Sequence, residues 1–389
     1  MIHPDFLTDA ALGKVWDAVP DARVVGGAVR DALSGRPVAD IDLATPSPPE
    51  VVIQTLQRAG VKVVPTGLVH GTVTAVVSGR GFEITTLRRD VETDGRHAVV
   101  AFTADWRQDA SRRDFTINAM SMARDGTVFD YFDGTADLEA GRIRFVGDPA
   151  TRIAEDYLRI LRFFRFYARF GAAAPDADTL DALRAGIPGL ARLSVERVWN
   201  ELRRILGAPD PSEAVSLMDR LGVWPAVVPE ATAVSRISGL PADPILRLAA
   251  MLTGDPLALA TRLRFSNEDR ERLVRLVATP AVTGSDDTLR RLLADHQPAD
   301  LIDRTWLDHD PSARQRLSGI PRPVFPLEGR HVVALGIPSG PAVGALLREV
   351  RQWWLDGGCT AGRAECLAEL ARRAKLPNMG ERGEADAGY

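Results

Sequence analysis

Two aspartates placed two residues apart, Asp40 and Asp42, stand in the short apolar run Ala39-Asp40-Ile41-Asp42-Leu43. On a strand, residues i and i+2 face the same side, so the two carboxylates project together while Ile41 and Leu43 enter a core. Carboxylates crowded on one face repel each other unless a cation joins them. Mg2+ typically takes one or two carboxylates together with substrate phosphates. Upstream, the β-type run Ala22-Arg23-Val24-Val25 ends in Gly26-Gly27. Glycines at a strand-to-helix turn let the backbone approach an anionic ligand and open a helix whose first N–H groups point at it. Arg30, one turn into that helix, adds a fixed positive charge. A phosphate-cradling turn followed by a metal-binding carboxylate pair describes a nucleotidyl-transfer site. It differs from the Walker-type loop, whose GxxxxGK[ST] is absent.

Three further stretches carry candidate chemistry. Phe82-Glu83-Ile84 reads as a strand with Glu83 and Thr85 on the face opposite Phe82 and Ile84. Beside the aspartate strand, Glu83 is a third carboxylate near the metal; the alternative is an exposed edge glutamate. In Arg112-Arg113-Asp114-Phe115-Thr116-Ile117-Asn118, Arg113 and Asn118 are candidate contacts to triphosphate and sugar, with Asp114 orienting an arginine. The alternative there is a helix with a solvated, charged first turn. Residues 155–170, EDYLRILRFFRFYARF, read as one largely apolar helix. Arg159, Arg162 and Arg165 recur every three residues, a drift of roughly 60° per step, and Arg169 follows four later, so the arginines fan across one side. Such a helix is buried, and buried arginines need partners. A salt-bridge ladder is one outcome. The other uses Asp156 and Arg159, one turn apart. A carboxylate accepts from an exocyclic amino group while a guanidinium donates to ring nitrogen or carbonyl, a pattern that cytosine and adenine satisfy and uracil and guanine do not.

The segments GGAVRDALSGR, DIDLAT, FEITTLRRD, DGRHA, RRDFTINAM and EDYLRILRFFRF, in this order, resemble the motifs of class II CCA-adding tRNA nucleotidyltransferases. The resemblance extends to their bacterial poly(A) polymerase relatives, within the DNA polymerase β-like superfamily, and covers about residues 22 to 206. It implies template-independent addition of C, C and A to the 3′ end of tRNA from CTP and ATP, with Mg2+ as cofactor held by Asp40 and Asp42. It also implies nucleotide contacts from Gly26, Gly27, Arg30, Arg112, Arg113, Asn118, Arg162 and Arg165, base reading by Asp156 and Arg159, and catalysis supported by Glu83. Asp94 and Arg96 match a mobile loop that reorients the site between nucleotides. A poly(A) polymerase, or an enzyme adding only CC or only A, is the neighbouring alternative. The DGRHA loop and the lack of a basic-aromatic run after Gly67 lean towards full CCA addition. A catalytically silent RNA-binding protein on the same scaffold is the alternative from another class, and the intact aspartate pair counts against it.

The elements that must position these residues imply an α+β chain. Strands near 61–64, 72–77 and 82–86, with a hairpin turn at Gly79-Arg80-Gly81, give an N-terminal head with a small mixed sheet and flanking helices. One of these is a helix through about Ala59 with Ser47 as its N-cap. Residues 88–110 are polar and read as a loop, and 127–148 as two more strands. The rest is all-helical, including 194–206, 212–225, 243–253, 267–279 and 286–295. The expected division is a catalytic head at 1–148, a neck with the base-recognition helix at 149–210, a body at 211–320, a tRNA-binding tail at 321–375 and a disordered end at 376–389. His309-Asp310 lacks His-rich neighbours, so no HD-type phosphohydrolase is expected. At 389 residues the chain is long enough for several cores. A net charge of −4 excludes a uniformly cationic coat but not local basic patches. No apolar run reaches transmembrane length and no leader is evident, so no membrane partner is expected. Only Cys359 and Cys366 occur, which fits a reducing cytoplasm.

Overall fold

Alternation of β-branched and polar residues builds a seven-stranded mixed sheet in the computed structural model, which describes residues 4–94 and 97–374. Its strands are β1 (Arg23–Val25), β2 (Asp42–Thr45), β3 (Lys62–Gly67), β4 (Thr72–Val77), β5 (Arg80–Thr86), β8 (Ser121–Met122) and β9 (Val128–Phe129). Their spatial order is β3-β4-β5-β2-β1-β8-β9. Only β2 and β5 run parallel; every other neighbour is antiparallel. One face is a core: Val24, Leu43, Val73, Ala75, Phe82, Ile84 and Met122 pack there with helix α1 (Ala10–Ala18) and helix α3 (Pro49–Arg58). The residues between them, including Arg23, Val25, Asp42, Ala44, Glu83 and Phe129, occupy the other face. Trp106, at the start of α4 (Trp106–Ser111), covers Val25, Ala44 and Leu87 on that second face.

The chain divides into two compact units, one up to Ser266 and one from Asn267, a division that falls within the residues 211–320 expected above as one body. In the first unit the sheet is followed by α5 (Gly134–Glu139), α6 (Pro149–Glu155), α7 (Leu158–Phe170), α8 (Ala177–Gly186), α9 (Val195–Leu206), α10 (Ser212–Leu221), α11 (Val223–Val227), α12 (Pro244–Met251) and α13 (Pro256–Arg262), with α2 (Gly27–Leu33) preceding β2. Helix α7 packs on α9 and α10, and α9 on α12. The second unit is α14 (Asn267–Ala278), α15 (Asp286–Asp295), α16 (Pro298–Leu307), α17 (Pro311–Gly319), α18 (Gly329–Val333), α19 (Pro341–Asp356) and α20 (Arg363–Ala374). Its cores form around Leu289, Leu301 and Leu317, and around Val332, Trp354 and Leu370. Asp310 caps α17 by accepting from the Ala313 N–H at 2.8 Å, so the His-Asp dipeptide is a helix start. Cys359 and Cys366 are buried free thiols. The end expected as disordered, 376–389, lies outside the described residues.

Several local expectations change. Residues 88–110 do not form a loop: β6 (Arg88–Asp94) and β7 (His97–Phe102) pair as an antiparallel ribbon, and α4 follows, capped by Asp105. The polar residues in this stretch hid the β-forming Val91, Thr93, Val99 and Val100. Residues 142–148 make only a single bridge, Phe115 with Phe145, where a strand was expected. The β4–β5 turn is Ser78-Gly79, both at positive φ, with Val77 opposite Arg80. Pro48, not Ser47, occupies the N-cap of α3. The 212–225 helix breaks at Gly222, which ends α10 at φ 85°.

The aromatic positions of α7 explain its sequence. Phe163 and Phe166 interlock with Phe115 and Phe145 of the head, the Phe115–Phe145 centroids lying 4.7 Å apart and Phe115–Phe166 5.2 Å. Tilted and edge contacts of this kind add to the apolar burial itself. Further down, the fully buried Arg247 of α12 donates to the carbonyls of Leu206 at 2.6 Å, and of Pro209 and Leu240, each at 2.8 Å. A cation there caps the C-terminal end of α9. Arg247→Met is expected to destabilise the first unit by about 3 kcal/mol, because those carbonyls are left unpaired. A lower urea midpoint, followed by the fluorescence of the buried Trp224, checks this.

Candidate active site

The glycine turn and the aspartates meet at the centre of the sheet. β1 ends at Val25, Gly26 takes φ +68°, and α2 begins at Gly27. A Cβ on Gly26 would stand 2.7 Å from the Arg113 guanidinium, so only glycine keeps both the backbone conformation and that contact. The β1–β2 register pairs Val24 with Leu43; continued by one residue, it brings Val25 opposite Asp42. On the other side, the parallel β2–β5 register pairs Asp42 with Glu83. Asp42 thus lies between the glycine turn and Glu83. Strand β2 begins at Asp42, so Ala39, Asp40 and the half-buried Ile41 precede it; the strand starts three residues later than expected and runs on to Thr45. Asp40 is exposed, and Asp42 keeps surface in water although its carboxyl is partly enclosed by its neighbours.

Shielding from water pushes the Asp42 carboxyl above the usual carboxylate range, and the charges of Glu83 and Asp40 push the same way against Arg113. A carboxyl whose ionisation is opposed by burial and by two neighbouring acids is set up to receive a cation. Among the described residues, no three His, Cys, Asp or Glu side chains stand close enough to hold a metal ion by themselves.

Beside the turn lies a cavity of about 500 Å³. It is lined by Gly26, Gly27, Arg30, Arg112, Arg113, Asn118, Asp156, Arg159, Arg162 and Arg165, together with Asp114, Leu158, Phe166 and Arg197. Every residue expected to contact nucleotide is therefore on one wall or another. The cavity is intensely cationic, yet its arginines are held by acids. Asp114 is buried; burial disfavours its charge, but Arg162 and the Asn118 and Phe115 N–H groups hold its carboxyl below the usual range. Arg162 Nε donates to it at 2.7 Å. Asn118 in turn accepts from Arg30 at 2.6 Å through its side chain, and from Arg113 at 3.3 Å through its carbonyl. Asp114 lies after α4 and not within a helix start, so the solvated-first-turn alternative does not hold. Asp109 holds Arg112 at 2.9 Å and Arg113 at 3.6 Å, and accepts the Arg88 N–H at the base of the ribbon.

The stretch expected as one helix from residue 155 is broken. Asp156 is extended (φ −155°) between α6 and α7, and its side chain accepts the Leu158 N–H at 3.1 Å. An aspartate offering this local bond starts a new helix in preference to continuing one. Its outer oxygen accepts from Arg197 of α9 at 2.7 Å. Arg159 is paired with Glu155 and donates to the Arg152 carbonyl at 2.8 Å. Arg165 meets Glu201 at 3.1 Å, and burial pushes its pKa down to about 10 against that partner. The salt-bridge ladder and the cavity wall are thus the same residues. Asp109, Arg197 and Glu201 escaped the sequence reading. The general need of buried arginines for acids pointed to the two carboxylates without saying which acids, and nothing in the sequence pointed to Arg197. Asp94 ends β6 opposite His97, and Arg96 lies outside the described residues.

Comparison with known proteins agrees with this geometry. Residues 22–144 match the model of the poly A polymerase head domain, and 174–234 that of the probable RNA and SrmB-binding site of polymerase A. The chain is 37% identical to the mitochondrial CCA tRNA nucleotidyltransferase 1 of Mus musculus over 90% of its own length and 87% of that protein. It is 30% identical to the CCA-adding enzyme of Lacticaseibacillus paracasei, over 90% of its length and 92% of the relative. Among solved structures, the Bacillus stearothermophilus CCA-adding enzyme in complex with CTP superposes with a TM-score of 0.75 at 25% identity, covering 96% of this chain and 98% of that one.

Two outcomes follow from the geometry. Gly26→Ala should cost about 1–2 kcal/mol from positive φ and displacement of Arg113, read as a lower melting temperature. The raised Asp42 pKa means its contribution to stability is present at low pH and is lost as pH rises through the folded value. In metal-free protein, Glu83→Gln should therefore melt above wild type at pH 7, with the difference closing near pH 3, where carboxyls are protonated.

Proposed function

Because the chain belongs to the family of CCA tRNA nucleotidyltransferases, the CCA-adding enzymes, we propose that it adds C, C and A to the 3′ end of tRNA from CTP and ATP without a nucleic-acid template. The observation that carries this is the adjacency of the aspartate strand to a glycine turn and an arginine-lined cavity of nucleotide size.

Asp40 and Asp42 would hold the metal, taken here as Mg2+, which supplies activation of the 3′-hydroxyl and charge neutralisation on the leaving pyrophosphate. Glu83 raises the local negative charge and so favours that ion. Gly26 and Gly27 let the triphosphate approach the backbone, while Arg30, Arg112 and Arg113 neutralise it and Asn118 meets the sugar. Asp156 and Arg159 read the base by accepting from an amino group and donating to the adjacent acceptor. Uracil and guanine set an acceptor against the carboxylate and a donor against the guanidinium, a mismatch that costs more in a partly buried site than in water. Arg162 and Arg165 complete the wall. Asp94 and Arg96 belong to the segment that reorients the site. Residues 1–148 act as catalytic head, 149–210 as neck, 211–320 as body and 321–375 as tRNA-binding tail. No described helix is long and apolar enough to cross a membrane. The two free thiols fit the reducing cytoplasm where we place the enzyme.

Incubation of the protein with tRNA lacking its 3′ end, with each labelled nucleotide alone and paired, tests the reading on a gel. Product is expected to stop at CCA. A long A tail would instead mark a poly(A) polymerase, and no extension with Mg2+ present a silent scaffold. Asp40→Ala should lower incorporation by about a thousandfold or more while tRNA binding survives. Asp156→Ala should mainly admit wrong nucleotides.

A further inference from the structure

Outside the cavity, the open face of the sheet carries a second grouping of charge and rings. Arg23 of β1 lies between two aromatic planes, its Cζ 4.0 Å from the Trp106 ring centre and 3.5 Å from that of Phe129. One of its N–H groups donates to the Tyr131 hydroxyl at 3.4 Å. Arg107 stands over Phe132 at 5.4 Å. Trp106, Phe129, Tyr131 and Phe132 are each half-buried, so each residue keeps some surface in water while Trp106 packs on Val25, Ala44 and Leu87, and Tyr131 and Phe132 on Ala110, Ala119 and Val146. Among the described residues no carboxylate pairs with Arg23 or Arg107. The acids nearby are committed elsewhere: Asp105 caps α4, Asp109 holds Arg112 and Arg113, and Asp130 accepts the N–H groups of Phe132, Gly134 and Thr135.

A guanidinium whose only task is to hold rings together uses its two faces. Arg23 also has edge donors, and the long bond to Tyr131 takes up one of them. Its place in the sheet says what those donors face. Arg23 pairs with Ala44, which sets it one strand repeat, about 7 Å, beyond Asp42 on the side away from Gly26 and the cavity. In an in-line displacement the attacking oxygen arrives opposite the leaving group. With the triphosphate in the cavity past Gly26, the attacking 3′-hydroxyl comes from the Arg23 side of Asp42. The strand end delivered there changes with every nucleotide added, so its docking site must hold it without reading sequence. Guanidiniums for phosphates and ring surfaces for bases do that, because every base has a π face.

We infer that Arg23, Trp106 and Phe129, with Arg107, Tyr131 and Phe132 beside them, form the docking platform for the single-stranded 3′ end of the RNA acceptor. The guanidiniums take its phosphodiesters and the rings take unpaired bases. This role presupposes that the chain extends RNA.

The test is steady-state extension of tRNA lacking its 3′ end, by wild type, Arg23→Gln and Arg107→Gln. The expected result is a KM for tRNA raised about tenfold in Arg23→Gln and several-fold in Arg107→Gln, with KM for CTP unchanged and a shallower dependence of KM for tRNA on salt. Wild-type-like tRNA KM in folded variants, or an equal rise in both KM values, overturns the platform. Wild type unable to extend any tRNA would overturn the parent reading instead. Because Arg23→Gln removes a caged side chain and can unfold the head, a cross-link on unaltered protein provides an independent measurement. With 4-thiouridine at the tRNA 3′ terminus, irradiation should label peptides containing Trp106 or residues 129–132. Labelling only elsewhere overturns the inference.

Discussion

A single buried carboxylate joins the two halves of the candidate site. Asp114 accepts from Arg162 of α7 and from Asn118, and Asn118 in turn accepts from Arg30 of α2 and from Arg113. The glycine turn, the head and the arginine helix are therefore members of one hydrogen-bonded network. In a low-dielectric setting each member is costly without the next, so the network is all or nothing. Phe115, next to Asp114 in sequence, packs on Phe145 and Phe166, so an aromatic cluster adjoins the network.

That network also reconciles two readings of the same arginines. A buried helix such as α7 cannot carry Arg159, Arg162 and Arg165 without acids, and Glu155, Asp114 and Glu201 supply them. The same guanidiniums line the cavity. Being paired fixes their rotamers, which is what a recognition surface needs before its ligand arrives. In the function proposed, structural pairing and ligand contact are successive uses of one side chain.

What could be read from residue order alone was whatever has a short period. The two-residue alternation of 82–86 placed Glu83 opposite Phe82 and Ile84, and the strand register then set it beside Asp42. The arginine spacing of 155–170 showed that acids were required. Which acids was not legible: Asp114 and Arg162 are 48 residues apart, and Asp156 and Arg197 are 41 apart. The break at Asp156 was hidden because the apolar period runs straight through it, while the competing side-chain bond to Leu158 is a local matter that period does not record. The ribbon of β6 and β7 was missed for the opposite reason, since its charged residues masked the pairing that a two-stranded sheet satisfies mostly through its backbone.

The sheet separates its work by parity. Val24, Leu43, Ile84 and Met122 fill the core, while their immediate neighbours Val25, Asp42, Glu83 and Ser121 look towards the other side. Adjacent codons thus answer to unrelated demands. A lineage can harden this sheet against heat by exchanging hydrophobes on its core face, leaving the side that carries Asp42 and Glu83 untouched.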